Sequence, residues 1–155
     1  MDVKIRLLQK EDALISWEWR NNPKVWEYTL SKPNITITPE IESQWIDNVL
    51  KRDNERRYAI IVDDVYVGNI QLLDITENDA EYHIFIGDTN YWGKGIATIA
   101  TNLILDVAKN DLHLKKVHLE VNEKNIAARK LYEKVGFIEV EHNENIIFME
   151  NDLGI

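Results

Sequence analysis

The sequence predicts a mixed α+β fold: a central, mostly antiparallel sheet with one parallel strand pair, flanked by four helices. Three observations predict it. Short runs of alternating polarity recur along the chain, four stretches carry apolar residues at helical spacing, and two of those stretches stand between strands. Where a helix crosses over between neighbouring strands of one sheet, those strands run parallel. The 155 residues fit a single domain spanning 1–155, with enough apolar content for a core.

Taken in order, "VKIRLL" alternates and reads as the first strand. A helix is expected from about Lys10 to Arg20, with Asp12 near its start and Leu14 and Trp17 on one face. Asn21, Asn22 and Pro23 break it, and "SKPNITITPE" reads as a loop. Thr38 caps a second helix with Pro39 at its first position, and Ile41, Trp45, Ile46, Val49 and Leu50 form its apolar stripe. Three strands, "RYAIIVD", "YVGNIQLLD" and "AEYHIFIGD", are joined by turn-forming residues and predict an antiparallel meander. Ile96, Ile99, Ala100, Leu103, Ile104 and Val107 mark the third helix. "KKVHLEV" is a strand, "NIAARKLYEKV" a helix ended by Gly136, and "FIEVEH" with "NIIFMEN" a closing pair.

Composition narrows the function. The formal charge is −9, which argues against a nucleic-acid partner because phosphate contacts need Lys and Arg. Cysteine is absent, so thiolate zinc sites and cysteine nucleophiles are excluded. No apolar run approaches a membrane span, and "MDVKIRLLQKED" is too charged for a signal peptide, so a cytoplasmic setting without membrane partners is expected. The four histidines show no metal-ligand spacing, and no metal is expected. Neither a Gly-x-Ser-x-Gly elbow nor a phosphate P-loop is present.

Two strands stand out chemically. In "KKVHLEVN", Val117, Leu119 and Val121 point one way while His118, Glu120 and Asn122 point the other. Alternation alone leaves two readings of that polar face, a solvated surface or part of a crevice. In "AEYHIFIGD", Tyr82, Ile84 and Ile86 share one face and Glu81, His83 and Phe85 the other. This second strand runs into "YWGKGIATIA", where Gly93 and Gly95 stand immediately before a helix. Glycines there permit either a plain tight turn or close approach of an anion to free helix amides.

Together "YWGKGIA", "LEV" and "NIAARKLYEKVGF" resemble the GNAT superfamily of acyl-CoA N-acyltransferases, in element order over nearly the whole chain and most specifically from Glu81 to Phe137. That superfamily's pyrophosphate loop, Gln/Arg-x-x-Gly-x-Gly/Ala, maps to Trp92-Gly93-Lys94-Gly95-Ile96-Ala97, with Trp92 replacing the leading residue. Asn125, Ala128, Leu131, Tyr132, Gly136 and Phe137 satisfy its second signature. The opening "WEWRNNPKV" resembles the branch holding ribosomal-protein N-terminal, spermidine and amino-sugar acetyltransferases.

The resemblance implies acetyl-CoA as acyl donor. Residues 92–98, Trp92 through Thr98, would cradle its pyrophosphate, the backbone of Ile84, Phe85 and Ile86 would hold the pantetheine and thioester, and Asn125 would bond the pantetheine arm. Tyr132 would protonate the departing thiolate. Glu120 matches the base assigned in ribosomal-protein alanine acetyltransferases, with Glu81 and His83 as rivals. The acceptor, a small primary amine, should meet Trp17, Trp19, Arg20, Trp26, Tyr28 and Trp45, with His83 also at its site. Aromatics plus an arginine favour a nucleotide-linked amino sugar. A protein N-terminus, a polyamine or a non-catalytic CoA-sensing role are the alternatives, and a monomer or homodimer is expected.

Overall fold

In the computed structural model, residues 1–27 and 34–154 are described. Among them run seven strands and four α-helices: β1 (Val3–Leu7), α1 (Ala13–Trp19), α2 (Pro39–Val49), β2 (Arg56–Val62), β3 (Val65–Leu73), β4 (Asp79–Ile86), α3 (Ile96–Asp106), β5 (Lys116–Asn122), α4 (Ile126–Lys134), β6 (Ile138–Asn143) and β7 (Ile146–Asp152). The strands form one sheet in the order β1-β2-β3-β4-β5-β7-β6. Each neighbouring pair is antiparallel except β4 with β5. This is the mixed sheet that the element order predicts, and the α3 crossover makes the parallel pair.

That pair is short. β4 bonds β5 through Asp79, Ala80 and Glu81 against Lys116, Val117 and His118, and no further. Beyond it β4 stays on β3 out to the Gly68–Ile86 pair, while β5 follows β7 out to the Asn122–Ile146 pair. The two strands therefore diverge, and a wedge opens in the middle of the sheet.

Helices cover the two faces. Ile96, Ala100 and Ile104 of α3 and Tyr132 of α4 pack on Ile70, Leu72, Tyr82, Val117, Leu119 and Val121. Burying an Ile or Leu there contributes about 1.5–3 kcal/mol each. On the opposite face, Ala13 and Trp19 of α1 and Ile46 of α2 pack on Ala59 and Tyr66, with Trp45, Ile61 and Phe85 at the edge.

The predicted faces of α1 and α2 require correction. Leu14 is 71% exposed, Ile41 39% and Leu50 42%, whereas Asp12, Ser16 and Glu42 are buried. The reason is that polar residues of this face are bonded to one another. Asp12 takes two hydrogen bonds from Arg6, at 2.9 and 2.7 Å. Ser16 Oγ donates to Glu42 Oε2 at 2.7 Å, and Arg20 Nη1 donates to Glu42 Oε1 at 3.1 Å. Such partners lie far apart in sequence, so apolar spacing alone selects the wrong side. The α1 helix also begins at Ala13, preceded by a 3₁₀ turn over Lys10–Asp12. Thr38 caps α2 as expected, its side chain accepting from Ile41 N, with Pro39 at the first position.

Candidate active site

The end of β4 leads through Gly87 into the turn that carries the glycines. A Cβ at Gly87 would collide with the indole of Trp19, so the absent side chain is what lets α1 close over the strand exit. A short 3₁₀ turn, Thr89–Tyr91, then delivers the chain to Trp92. Gly93 and Gly95 adopt φ of 73° and 79°, in the left-handed region that glycine enters without penalty. Gly95 is the N-cap of α3 and contributes no side-chain cap. Among the described residues, the amides of residues 93–98 find no acceptor. The positive end of an 11-residue helix is left with free donors.

These amides open onto a cavity of about 500 Å³ at the wedge. Its wall includes Ile84, Phe85 and Ile86 of β4, Trp92, Gly93, Lys94, Gly95, Ile96, Ala97 and Thr98 of the loop and α3, and Asn125 and Tyr132 of α4. Asn125 caps α4, its Oδ1 accepting from Ala128 N at 3.3 Å. Its amide nitrogen makes no bond among the described residues. Ile86 O is turned out of the β3–β4 ladder and accepts from Trp92 Nε1 at 2.7 Å. Because alternate residues of a strand address alternate edges, the amide and carbonyl of Ile84 face the same open edge.

Tyr132 is 9% exposed and packs against Tyr82 and Phe137, with ring centroids 5.7 and 5.8 Å away. Its hydroxyl has no hydrogen-bond partner among the described residues. Burial pushes its pKa up from the ordinary value, because a phenolate in this apolar setting would lose its hydration. The group is thus a proton holder at neutral pH.

The expected base candidates lie elsewhere. Leu119 and Val121 are buried on the Tyr132 side, so strand alternation puts Glu120 on the opposite face, where it is exposed. Glu81 and His83 share that face of β4, and His83 Nε2 is 3.2 Å from Glu81 Oε1. His118 Nδ1 stands 2.8 Å from Asp79 Oδ1. None of Glu120, Glu81 and His83 lines the cavity, though all border the mouth of the wedge by register.

The expected acceptor residues are scattered. Trp19 is core, at 4.7 Å from the Tyr66 ring centroid. Trp17 lies on the outer side of α1, partly exposed. Trp26 comes within 6.1 Å of the Phe85 centroid and donates from Nε1 to Arg20 O. Arg20 does not reach the cavity wall; it pairs with Glu42 and lies 4.6 Å over the Trp45 ring. Tyr28 lies outside the described residues.

Sequence reasoning missed Lys24, Val25 and Glu27, which close one end of the cavity, and Tyr91, Ala127 and Leu131. Leu131 was within reach as a ligand-facing residue, since α4 positions three and four apart share a face with Ala128 and Tyr132. No local signal points to Lys24 or Glu27. No group of side chains suited to a metal ion occurs among the described residues, and no described helix is long and apolar enough to cross a membrane.

The Acetyltransferase (GNAT) domain family matches residues 2–138. The spermidine N(1)-acetyltransferase of Escherichia coli (strain K12) is 33% identical over 137 residues, covering 87% of this chain and 72% of that protein. Its Vibrio cholerae counterpart is 31% identical over 146 residues, covering 90% and 81%. The crystal structure of the spermidine N-acetyltransferase from Vibrio cholerae, in complex with CoA and spermine, matches with a TM-score of 0.87 at 24% identity, over 97% of this chain and 95% of that one. At that identity the last likeness establishes the fold.

Proposed function

The chain belongs to the GNAT acetyltransferase family and is an acetyl-CoA-dependent N-acetyltransferase, and on that premise we propose that its acceptor is a polyamine. The observation that carries the choice is the state of Arg20. The case for a nucleotide-linked amino sugar needed this guanidinium as a phosphate partner. It is instead 17% exposed and paired to Glu42, itself 1% exposed, so engaging a phosphate would strand a buried carboxylate. Two further facts support a cationic acceptor: the net charge of −9 and the similarity to proteins named as spermidine acetyltransferases. The polyamine reading therefore replaces the amino-sugar one.

The residues of the cleft suit the donor. Free amides at the start of α3 match a pyrophosphate, and Lys94, held 5.9 Å over the Tyr91 ring, adds a cation at the same end. Open space beside Gly93 and Gly95 leaves the backbone approachable. Bound there, acetyl-CoA supplies an activated thioester. The Ile84 amide, aimed at the open edge of β4, would donate to the oxyanion of the tetrahedral intermediate. Asn125 would donate its free amide N–H to the pantetheine arm. Tyr132 would give its proton to the thiolate as the C–S bond breaks, and the surroundings that raise the tyrosine's pKa raise a thiolate's proton affinity alike, so the two stay matched.

An ammonium has no lone pair, so the attacking amine must first lose a proton. Glu120, on the acceptor side of the wedge, would accept it directly or through water. Glu120→Gln should lose activity most at low pH and recover as rising pH deprotonates the amine unaided. A wild-type profile for Glu120→Gln beside an inactive Glu81→Gln would move the base to Glu81.

The test is an amine screen with acetyl-CoA, following free thiol release. Spermidine and spermine should turn over, with KM rising as salt screens the attraction between cation and acidic protein. Preferential turnover of a nucleotide-linked amino sugar or of a peptide N-terminus would overturn the acceptor and leave the acetyltransferase standing.

A further inference from the structure

The glycine loop departs at one position from the pattern it resembles: Trp92 stands where that pattern carries Gln or Arg. The three side chains differ in charge, size and shape. They share a side-chain N–H donor. In this structure the donor is in use, since Trp92 Nε1 gives its hydrogen to Ile86 O at 2.7 Å.

We propose that Trp92 is a positioning residue whose indole N–H latches the glycine loop to the end of β4, fixing the distance between the strand that faces the thioester and the amides that face the pyrophosphate. The inference rests on the acetyl-CoA reading of the cavity. Both ends of the latch line that cavity. Gly93 and Gly95 have nothing within 4 Å of a hypothetical Cβ, so the loop has no side-chain anchor there. Among the described residues, the Trp92 bond is the one side-chain hydrogen bond from residues 92–95 to the rest of the fold. Burial does not hold the ring, which is 43% exposed. A loop free to drift would satisfy the pyrophosphate or the thioester contacts but not both, and displacements near 1 Å are costly to a reacting geometry.

Two substitutions separate the donor from the ring. Trp92→Phe keeps an aromatic ring and loses the N–H; Trp92→Gln loses the ring and keeps a donor. Each is measured by steady-state kinetics with acetyl-CoA varied at saturating amine, and by the rise in Tm on adding CoA. Trp92→Phe should raise KM for acetyl-CoA by about three- to tenfold, the worth of one neutral hydrogen bond, and shrink the CoA-induced rise in Tm. Trp92→Gln should return both to within about twofold of wild type. Trp92→Leu, lacking ring and donor, should behave like Trp92→Phe and stands in for it if that variant does not fold. Normal behaviour of Trp92→Phe, or a Trp92→Gln as impaired as Trp92→Phe, overturns the latch. A wild-type protein that CoA fails to stabilise overturns the cofactor reading and the latch together.

Discussion

On the α3–α4 side of the wedge, several polar groups at the cavity have no partner among the described residues: the amides after Gly93, the Asn125 amide nitrogen and the Tyr132 hydroxyl. On the α1–α2 side, Ser16 Oγ and Arg20 Nη1 are bonded to the buried Glu42 carboxylate, and Arg20 Nε is buried away from any ligand with no hydrogen-bond partner among the described residues. Donors that have no partner are available to a ligand at no cost. Donors already paired inside a protein are scaffold, and recruiting them leaves a buried charge behind. One side thus offers unpartnered polar groups to the cavity and the other holds its polar groups in internal pairs, a contrast that substitution can break or sharpen.

The largest effect is expected on the binding side. Tyr132→Phe keeps the ring contacts with Tyr82 and Phe137 and removes the proton, so turnover should fall by roughly 10²- to 10⁴-fold with little change in KM for acetyl-CoA. Next comes the scaffold side. Arg20→Ala leaves Glu42 buried with Ser16 as its remaining partner, and urea unfolding should show a loss of about 3–5 kcal/mol. KM for acetyl-CoA of the remaining folded protein should be unchanged. If Arg20→Ala kept full stability and lost only acceptor affinity, the division between the two sides would fail.

The smallest effect, counted per group and per pH unit, is a pH slope that both sides share. Burial raises the pKa of Tyr66 on one face and of Tyr82 and Tyr132 on the other. The folded state then keeps protons that the unfolded chain releases above about pH 10, so stability must fall as pH rises. These tyrosines should contribute no slope below about pH 9 and up to about 1.4 kcal/mol per pH unit each above pH 10. Chemical denaturation of Tyr132→Phe across this range should show the slope of one group fewer.

The same contrast explains what could be read from the amino-acid sequence. The β2-β3-β4 meander, the closing β6-β7 pair and the parallel pair follow from short alternating runs and from where α3 falls, which are local signals, whereas the placing of β1 beside β2 and of β7 between β5 and β6 is set by long-range pairing. The glycine loop and the Asn125–Tyr132 helix are local too, and their residues meet in one cavity. The faces of α1 and α2 were not legible, because Asp12, Ser16 and Glu42 are buried by partners 6, 26 and 22 positions away in the chain. Trp19 illustrates the point: its aromatic character suggested a ligand platform, but the missing side chain of Gly87 makes room for it as core. Strand alternation correctly puts Glu120 on the exposed face opposite Leu119 and Val121.

The central claim is that a backbone cradle at the start of α3 binds the acyl donor, and calorimetric titration of CoA into wild type and Gly95→Val tests it most directly. A Cβ at Gly95 meets no atom within 4 Å, but a β-branched valine must adopt φ near 79° at a strain cost of about 1–3 kcal/mol and adds bulk beside the amides offered to the ligand. Wild type should bind CoA at one site per chain and Gly95→Val should show no measurable heat. Equal affinity in both proteins, or no binding to wild type, would contradict the account.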